Sequence, residues 1–273
     1  MTVAERPLAG KRIVITRSPE QSGILLRELE GSGATVILLP FVEFRLPSDT
    51  GALDSALAEL SQFDWVVFTS PNGVRFFCQR LRESGREPSE LPAPLPLVAA
   101  IGVATASAAT KEGLAVEFAL ANVRTGREFG QRFSESAIQG KKILLPQSDL
   151  ADGHIRDALK ESGAAVTEVV AYRTCMPESL HGQELEQVKR DGADVFVFAS
   201  PSSFRNFAKT VGPEGLKHFG DRSAFAAIGP TTAEAIRGAG VQVKIEAAKP
   251  SSSEIVQAIA EYFAAKPSEA VRR

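Results

Sequence analysis

Almost the whole chain is written twice, which confines it to folds in which one α/β unit occurs in two copies. Phe63–Phe77, FDWVVFTSPNGVRFF, returns as Ala193–Phe207, ADVFVFASPSSFRNF. Leu97–Phe118 returns as Ala224–Ile245, and Gly10–Val36 finds its counterpart in Gly140–Val166. Matched positions lie 130 residues apart for Pro71 and Pro201 and for Gly10 and Gly140, and 127 apart for Gly102 and Gly229. Two related units on one chain offer a cleft between them, faced from both sides by the same kind of loop. A ligand is expected there.

Within each copy, short apolar runs rich in β-branched residues alternate with amphipathic segments about a dozen residues long. WVVFT and VFVFA are apolar at successive positions rather than alternate ones. Strands read that way when both faces are covered, as in a parallel sheet between helices. Helices are expected at Glu20–Gly31, Pro71–Glu83, Ala104–Glu112, Gly126–Ser134, His154–Ser162, Ser202–Thr210, Thr231–Ala239 and Ser252–Phe263, several ending at a glycine. The fold class is therefore α/β, with two doubly wound parallel-sheet domains. Two segments break the rhythm, PFVEFRLP (Pro40–Pro47) and VVAYRTCMP (Val169–Pro177), and read as a pair of strands crossing between domains. Arg86–Pro96, with four prolines, reads as a surface loop.

The bulk numbers narrow the function. A length of 273 residues suits two ordinary domains, and 44% hydrophobic with 23% charged residues is a globular composition. A net charge of −2 argues against coating nucleic acid or an anionic membrane. Cys78 and Cys175 stand far apart, so reduced thiols are expected rather than a disulfide. No stretch approaches the ~20 apolar residues of a membrane span, and MTVAERPLAGKR lacks the apolar core of a signal peptide, so a cytoplasmic protein is expected.

In an open parallel sheet, ligands bind outside the carboxyl ends of the strands. Four strand-to-helix turns matter most: Ser70-Pro71-Asn72-Gly73, Ser200-Pro201-Ser202-Ser203, Gly102-Val103-Ala104-Thr105 and Gly229-Pro230-Thr231-Thr232. Their hydroxyls can cap the helices that follow, or they can join free backbone N–H groups in holding a carboxylate or phosphate. Arginines at Arg17, Arg75, Arg124, Arg127 and Arg173 read first as solvated charges. Strand-end placement raises Arg17 and Arg173 as binders, since a guanidinium takes a carboxylate in bidentate fashion. Other chemistries find no support. Gly31-Ser32-Gly33 follows a helix and lacks a third glycine, no phosphate loop or GxSxG exists, and His154, His181 and His218 lack metal-ligand spacing.

FTSPNGV, GVATASAATKEGL, IGPTTAEAIRGAGV, VVAYRT and the early ITR, in this order and spacing, resemble uroporphyrinogen-III synthases over about Lys11 to Phe263. The resemblance implies an active site in the interdomain cleft and a two-stranded antiparallel linker, residues 41–45 with 171–175. It also implies a discontinuous domain of residues 1–40 plus 176–265 and an inserted domain of 46–170, while the tail 266–273 itself reads as disordered. It implies cofactor-free and metal-free cyclisation of the linear tetrapyrrole hydroxymethylbilane to uroporphyrinogen III, losing water and inverting ring D. By matched position, Tyr172 assists departure of the hydroxyl, and Arg17, Ser70, Pro71, Asn72, Thr105, Ser200, Ser202, Thr231 and Thr232 bind substrate. The implied partners are the polycarboxylate substrate and a transient handover from hydroxymethylbilane synthase, with no nucleic acid or membrane, for a monomer. The alternative is a two-domain module that captures a small anion without transforming it.

Overall fold

In the computed structural model the described residues are 6–90, 94–120, 133, 138–177 and 182–265. The strands are β1 (Arg12–Ile15), β2 (Thr35–Leu38), β3 (Glu43–Arg45), β4 (Trp65–Phe68), β5 (Leu97–Ile101), β6 (Val116–Leu120), β7 (Lys142–Ser148), β8 (Ala165–Cys175), β9 (Val195–Phe198), β10 (Ala224–Ala227) and β11 (Val243–Glu246). The helices are α1 (Pro19–Gly31), α2 (Gly51–Ala58), α3 (Pro71–Glu83), α4 (Val103–Lys111), α5 (His154–Glu161), α6 (Gly182–Asp191), α7 (Pro201–Arg222), α8 (Pro230–Gly238) and α9 (Ser252–Ala265). The chain folds as two compact units, one of Met1–Glu43 with Met176–Arg273 and the other of Phe44–Cys175.

The first unit holds a five-stranded sheet in the order β11-β10-β9-β1-β2, parallel at every junction. Strand β9 is buried at all four positions, as its unbroken apolar run requires. Its side chains alternate between two cores. Val195 and Val197 join Ile13, Ile15, Ile255 and Ile259 in an aliphatic layer. Phe196 and Phe198 point the other way, into a layer with Phe41, Phe204, Phe207, Phe219 and Phe225. Strand order departs from β1 toward β2 on one side and from β9 toward β11 on the other. The topological switch therefore falls between β1 and β9.

The second unit holds a six-stranded sheet in the order β3-β8-β7-β4-β5-β6. The junctions β7–β8, β4–β7, β4–β5 and β5–β6 are parallel, and the switch falls between β4 and β7. WVVF is again wholly buried, with Val66 and Phe68 in one core and Trp65 and Val67 in the other.

Local differences from the sequence reading have identifiable causes. Val169–Pro177 does not start a new element; Ala165–Cys175 runs as one strand, with β3 beside it at the sheet edge. The helix expected at Ser202–Thr210 breaks beside that point, at Gly212, where φ is 68° and ψ 176° ahead of Pro213, and a second helical segment runs on to Arg222. Helices α2 and α6 are additions to the reading. Pro88–Glu90 within the proline-rich loop forms a short 3-10 turn. The helix expected at Gly126–Ser134, Arg124, Arg127, His181 and the tail 266–273 lie outside the described residues, Phe133 excepted.

Candidate functional site

The loops named from sequence all emerge at the carboxyl ends of strands, and two of them sit beside a switch point. In the second unit, Ser70 follows β4. Its backbone is extended (φ −153°, ψ 152°), and its Oγ accepts the Gly73 N–H at 3.0 Å, which caps α3. Pro71 occupies the first helical position, where a missing N–H costs nothing. Gly73 is small for a reason. A Cβ there would lie 3.2 Å from the Pro146 carbonyl oxygen on β7 and 3.4 Å from Ser70 Oγ. The first turn of α3 is thus pressed onto the neighbouring strand at the switch.

Tyr172 completes this corner. Strand β8 carries it to 3.1 Å from Ser70 Oγ, hydroxyl to hydroxyl. Its ring lies nearly parallel to Phe76 of α3, centroids 5.7 Å apart with 14° between planes, and meets Phe44 of β3 edge-on at 5.9 Å and 70°. Only 7% of the residue is exposed. The phenol is held by its ring and committed by its oxygen. Arg75, one residue before Phe76, places its guanidinium carbon 4.4 Å from the Phe76 ring centroid. Arg173, the next residue after the phenol, is exposed and faces Asp149 at 3.5 Å.

Thr105 and Thr232 differ from the expected caps. Each occupies the third helical position and is buried, while Gly102 and Gly229 stand at the cap positions and no side chain caps either helix. Gly102 needs its residue type, since φ is 89°. The consequence is chemical: the first-turn N–H groups of α4 and α8 have no side-chain acceptor, which suits them to an anion. Thr231 is exposed beside them.

In the first unit, Arg17 and Ser200 follow the adjacent strands β1 and β9 at the switch. Ser200 repeats the geometry of Ser70, with φ −155°, ψ 156° and Ser203 N–H donating to its Oγ at 3.1 Å. The Ser203 hydroxyl then donates to the Ser200 carbonyl at 2.8 Å. Ser202 is half-buried. Arg17 donates from Nε to Gln21 Oε1 at 2.9 Å, and burial draws its pKa down from the usual guanidinium value. Beside it, Ser18 caps nothing, and its buried Oγ has no partner among the described residues.

Within the second unit the structure brings together Ser70, Pro71, Asn72 and Tyr172; within the first, Arg17 and Ser200 end neighbouring strands. Sequence reasoning missed Phe44 and Phe76, which fix the phenol, and Arg75 as part of the same corner. The available signal was spacing. Arg75 stands four residues after Pro71 and three after Asn72, on the same face of a helix.

A family model described as Uroporphyrinogen-III synthase HemD matches residues 24–257. The uroporphyrinogen-III synthase of Synechococcus elongatus is 28% identical over 249 residues, spanning 90% of this chain and 92% of its own. That of Chlorobaculum parvum is 29% identical over 237 residues, spanning 86% and 92%. Among solved structures, a mutant uroporphyrinogen III synthase from Thermus thermophilus superposes with a TM-score of 0.61 at 17% identity, covering 94% of this chain and all of that one. The uroporphyrinogen-III synthetase of Helicobacter pylori gives 0.61 at 18% identity, covering 90% and 97%. At such identities the structures establish a common fold.

Proposed function

We propose roles for these turns from one premise: the chain belongs to the uroporphyrinogen-III synthase family and converts hydroxymethylbilane to uroporphyrinogen III. Family membership favours this over capture of an anion without chemistry. The linear substrate carries its own leaving group and a nucleophilic ring. The enzyme's tasks are to release the hydroxyl as water, and to fold the chain so that ring D closes inverted rather than directly. Binding eight substrate carboxylates calls for N–H donors, hydroxyls and guanidinium groups.

The observation that carries the assignment of roles is the bond between Tyr172 and Ser70. Ser70 Oγ already accepts the Gly73 N–H. With the one serine proton directed to the Tyr172 oxygen, the phenolic proton stays free for the departing hydroxyl. The C–O bond breaks, the pyrrole nitrogen supplies the electron pair, and the hydroxide departs as water with the proton that Tyr172 donates. A phenol is a mild acid, so its contribution is modest. Pro71, Asn72 and the uncapped first turns at Thr105 and Thr231-Thr232 take substrate carboxylates, as do Arg17, Ser200 and Ser202.

The test is the isomer ratio. Protein supplied with freshly generated hydroxymethylbilane should give mainly the type III product after oxidation and chromatography; type I alone, at the rate of buffer, ends the proposal. Tyr172→Phe should keep the fold and the type III outcome while turnover falls about tenfold to a hundredfold. We further propose that the enzyme works as a cytoplasmic monomer receiving substrate from hydroxymethylbilane synthase. Among the described residues no helix is long and apolar enough to cross a membrane.

A further inference from the structure

Helix α3 carries three arginines, and two of them are neutralised within the protein. Arg80 forms ion pairs with Asp54 at 2.6 Å and Glu83 at 2.9 Å, and Arg82 with Glu87 at 3.1 Å and Glu112 at 2.7 Å. Arg75 differs. Among the described residues no hydrogen bond or ion pair reaches it, and its Nε is buried without a partner. A buried N–H with nothing to donate to costs roughly 1–3 kcal/mol, more when charged, so native structures rarely keep one.

The position of the orphan donor is informative. The guanidinium rests on Phe76, and Phe76 packs flat on Tyr172, whose hydroxyl meets Ser70. Along the helix, Arg75 shares a face with Pro71 and Asn72, and that face is the less buried one; Gly73, Val74 and Phe77 turn inward. Packing on an aromatic ring fixes the plane of a guanidinium and restricts its rotamers, which pre-organises the fork.

Resting on the reading of the chain as a cyclising synthase, we propose that Arg75 is a substrate-binding residue that clamps one carboxylate of the tetrapyrrole beside Tyr172. The accessible N–H groups of the guanidinium fork donate to the two carboxylate oxygens. Anchoring a side-chain acid next to the phenol fixes which end of the linear molecule reaches it.

Steady-state kinetics on hydroxymethylbilane test this with Arg75→Gln and Arg75→Lys. The glutamine variant should melt as the wild type does, with KM raised about tenfold and kcat within about threefold, the loss of one charge-assisted contact made alike to substrate and transition state. Raising the salt should weaken binding less steeply in this variant than in the wild type, and lysine should restore part of the KM as a point charge. A KM within about twofold of wild type in Arg75→Gln overturns the assignment. So does a fall in kcat with KM unchanged, because it would mean that Arg75 only props Phe76 against the phenol. If the wild-type protein itself yields only the type I isomer, the underlying reading fails instead, and the two failures are distinguishable.

Discussion

The two serine–proline turns are copies in backbone and strangers in chemistry. Ser70 and Ser200 hold nearly the same dihedral angles, both precede proline, and both accept the N–H three residues on at about the same length, 3.0 and 3.1 Å. Around that shared frame the side-chain partners have changed. Ser70 meets the Tyr172 phenol, while the Ser200 carbonyl takes the Ser203 hydroxyl. At the next matched position, Phe76 stacks on Tyr172, whereas Asn206 donates from Nδ2 to the Phe41 carbonyl at 2.7 Å. Even the matched arginines part, Arg75 lying against a ring and Arg205 standing exposed. Duplication supplied two equivalent serine-capped helix starts. Divergence set the phenol of Tyr172 against one of them and a hydroxyl of its own first turn against the other.

The largest effect that would sharpen this contrast lies one residue further on. Phe77 and Phe207 are matched and both buried, yet Phe207 meets the rings of Phe41, Phe196, Phe198, Phe219 and Phe225, and Phe77 meets that of Phe68. Replacing either by alanine leaves a cavity and should cost about 3–5 kcal/mol. Denaturant titration should place Phe207→Ala at the upper end and Phe77→Ala at the lower. Equal losses would mean that the two cores are as alike as the two turns.

The frame of this molecule was legible because it rests on rules that leave marks in one dimension. Runs such as VFVF announce strands buried on both faces, and Ser-Pro ahead of an amphipathic run announces a helix start, capped at Ser70 and Ser200 though not at Ser18. What escaped depends on neighbours distant in sequence. Helix α6, QELEQVKRD after its first glycine, is polar enough to pass for a loop. Beyond Thr210, a single glycine at φ 68° lets a second helical segment follow the first directly. Thr105 and Thr232 looked like caps because hydroxyls often are; the glycines before them took the cap position and the threonines turned inward. Arg75 read as a surface charge, since no sequence rule shows that Phe76 lies under it or that no carboxylate answers it.

A middle-sized effect should come from removing the serines themselves. Each caps one helix, so Ser70→Ala and Ser200→Ala should each lower stability by about 1 kcal/mol. Their turnover should differ. Ser70→Ala removes the hydroxyl that meets the phenol and should reduce kcat several-fold, while Ser200→Ala should act mainly through KM. Were both variants to change the same kinetic constant by the same factor, the functional asymmetry of the turns would be refuted.

The smallest effect in stability probes why the turns differ at all. Position 73 is glycine in the first copy and its counterpart, Ser203, carries a Cβ in the second. Gly73→Ala gains up to about 1 kcal/mol in helix propensity. Against that, the new methyl would press on the Pro146 carbonyl at 3.2 Å and on Ser70 Oγ at 3.4 Å. These terms oppose each other, so the unfolding free energy should move by less than about 1 kcal/mol. The carbonyl belongs to a central strand and cannot yield, so the hydroxyl is the softer neighbour, and its displacement from Tyr172 should lower turnover at unchanged stability. A variant stabilised by the full propensity gain and still as active as the wild type would show that nothing at this switch point demands glycine. The difference between NG and SS would then be drift, and the pressing of α3 against β7 would have no part in setting the phenol.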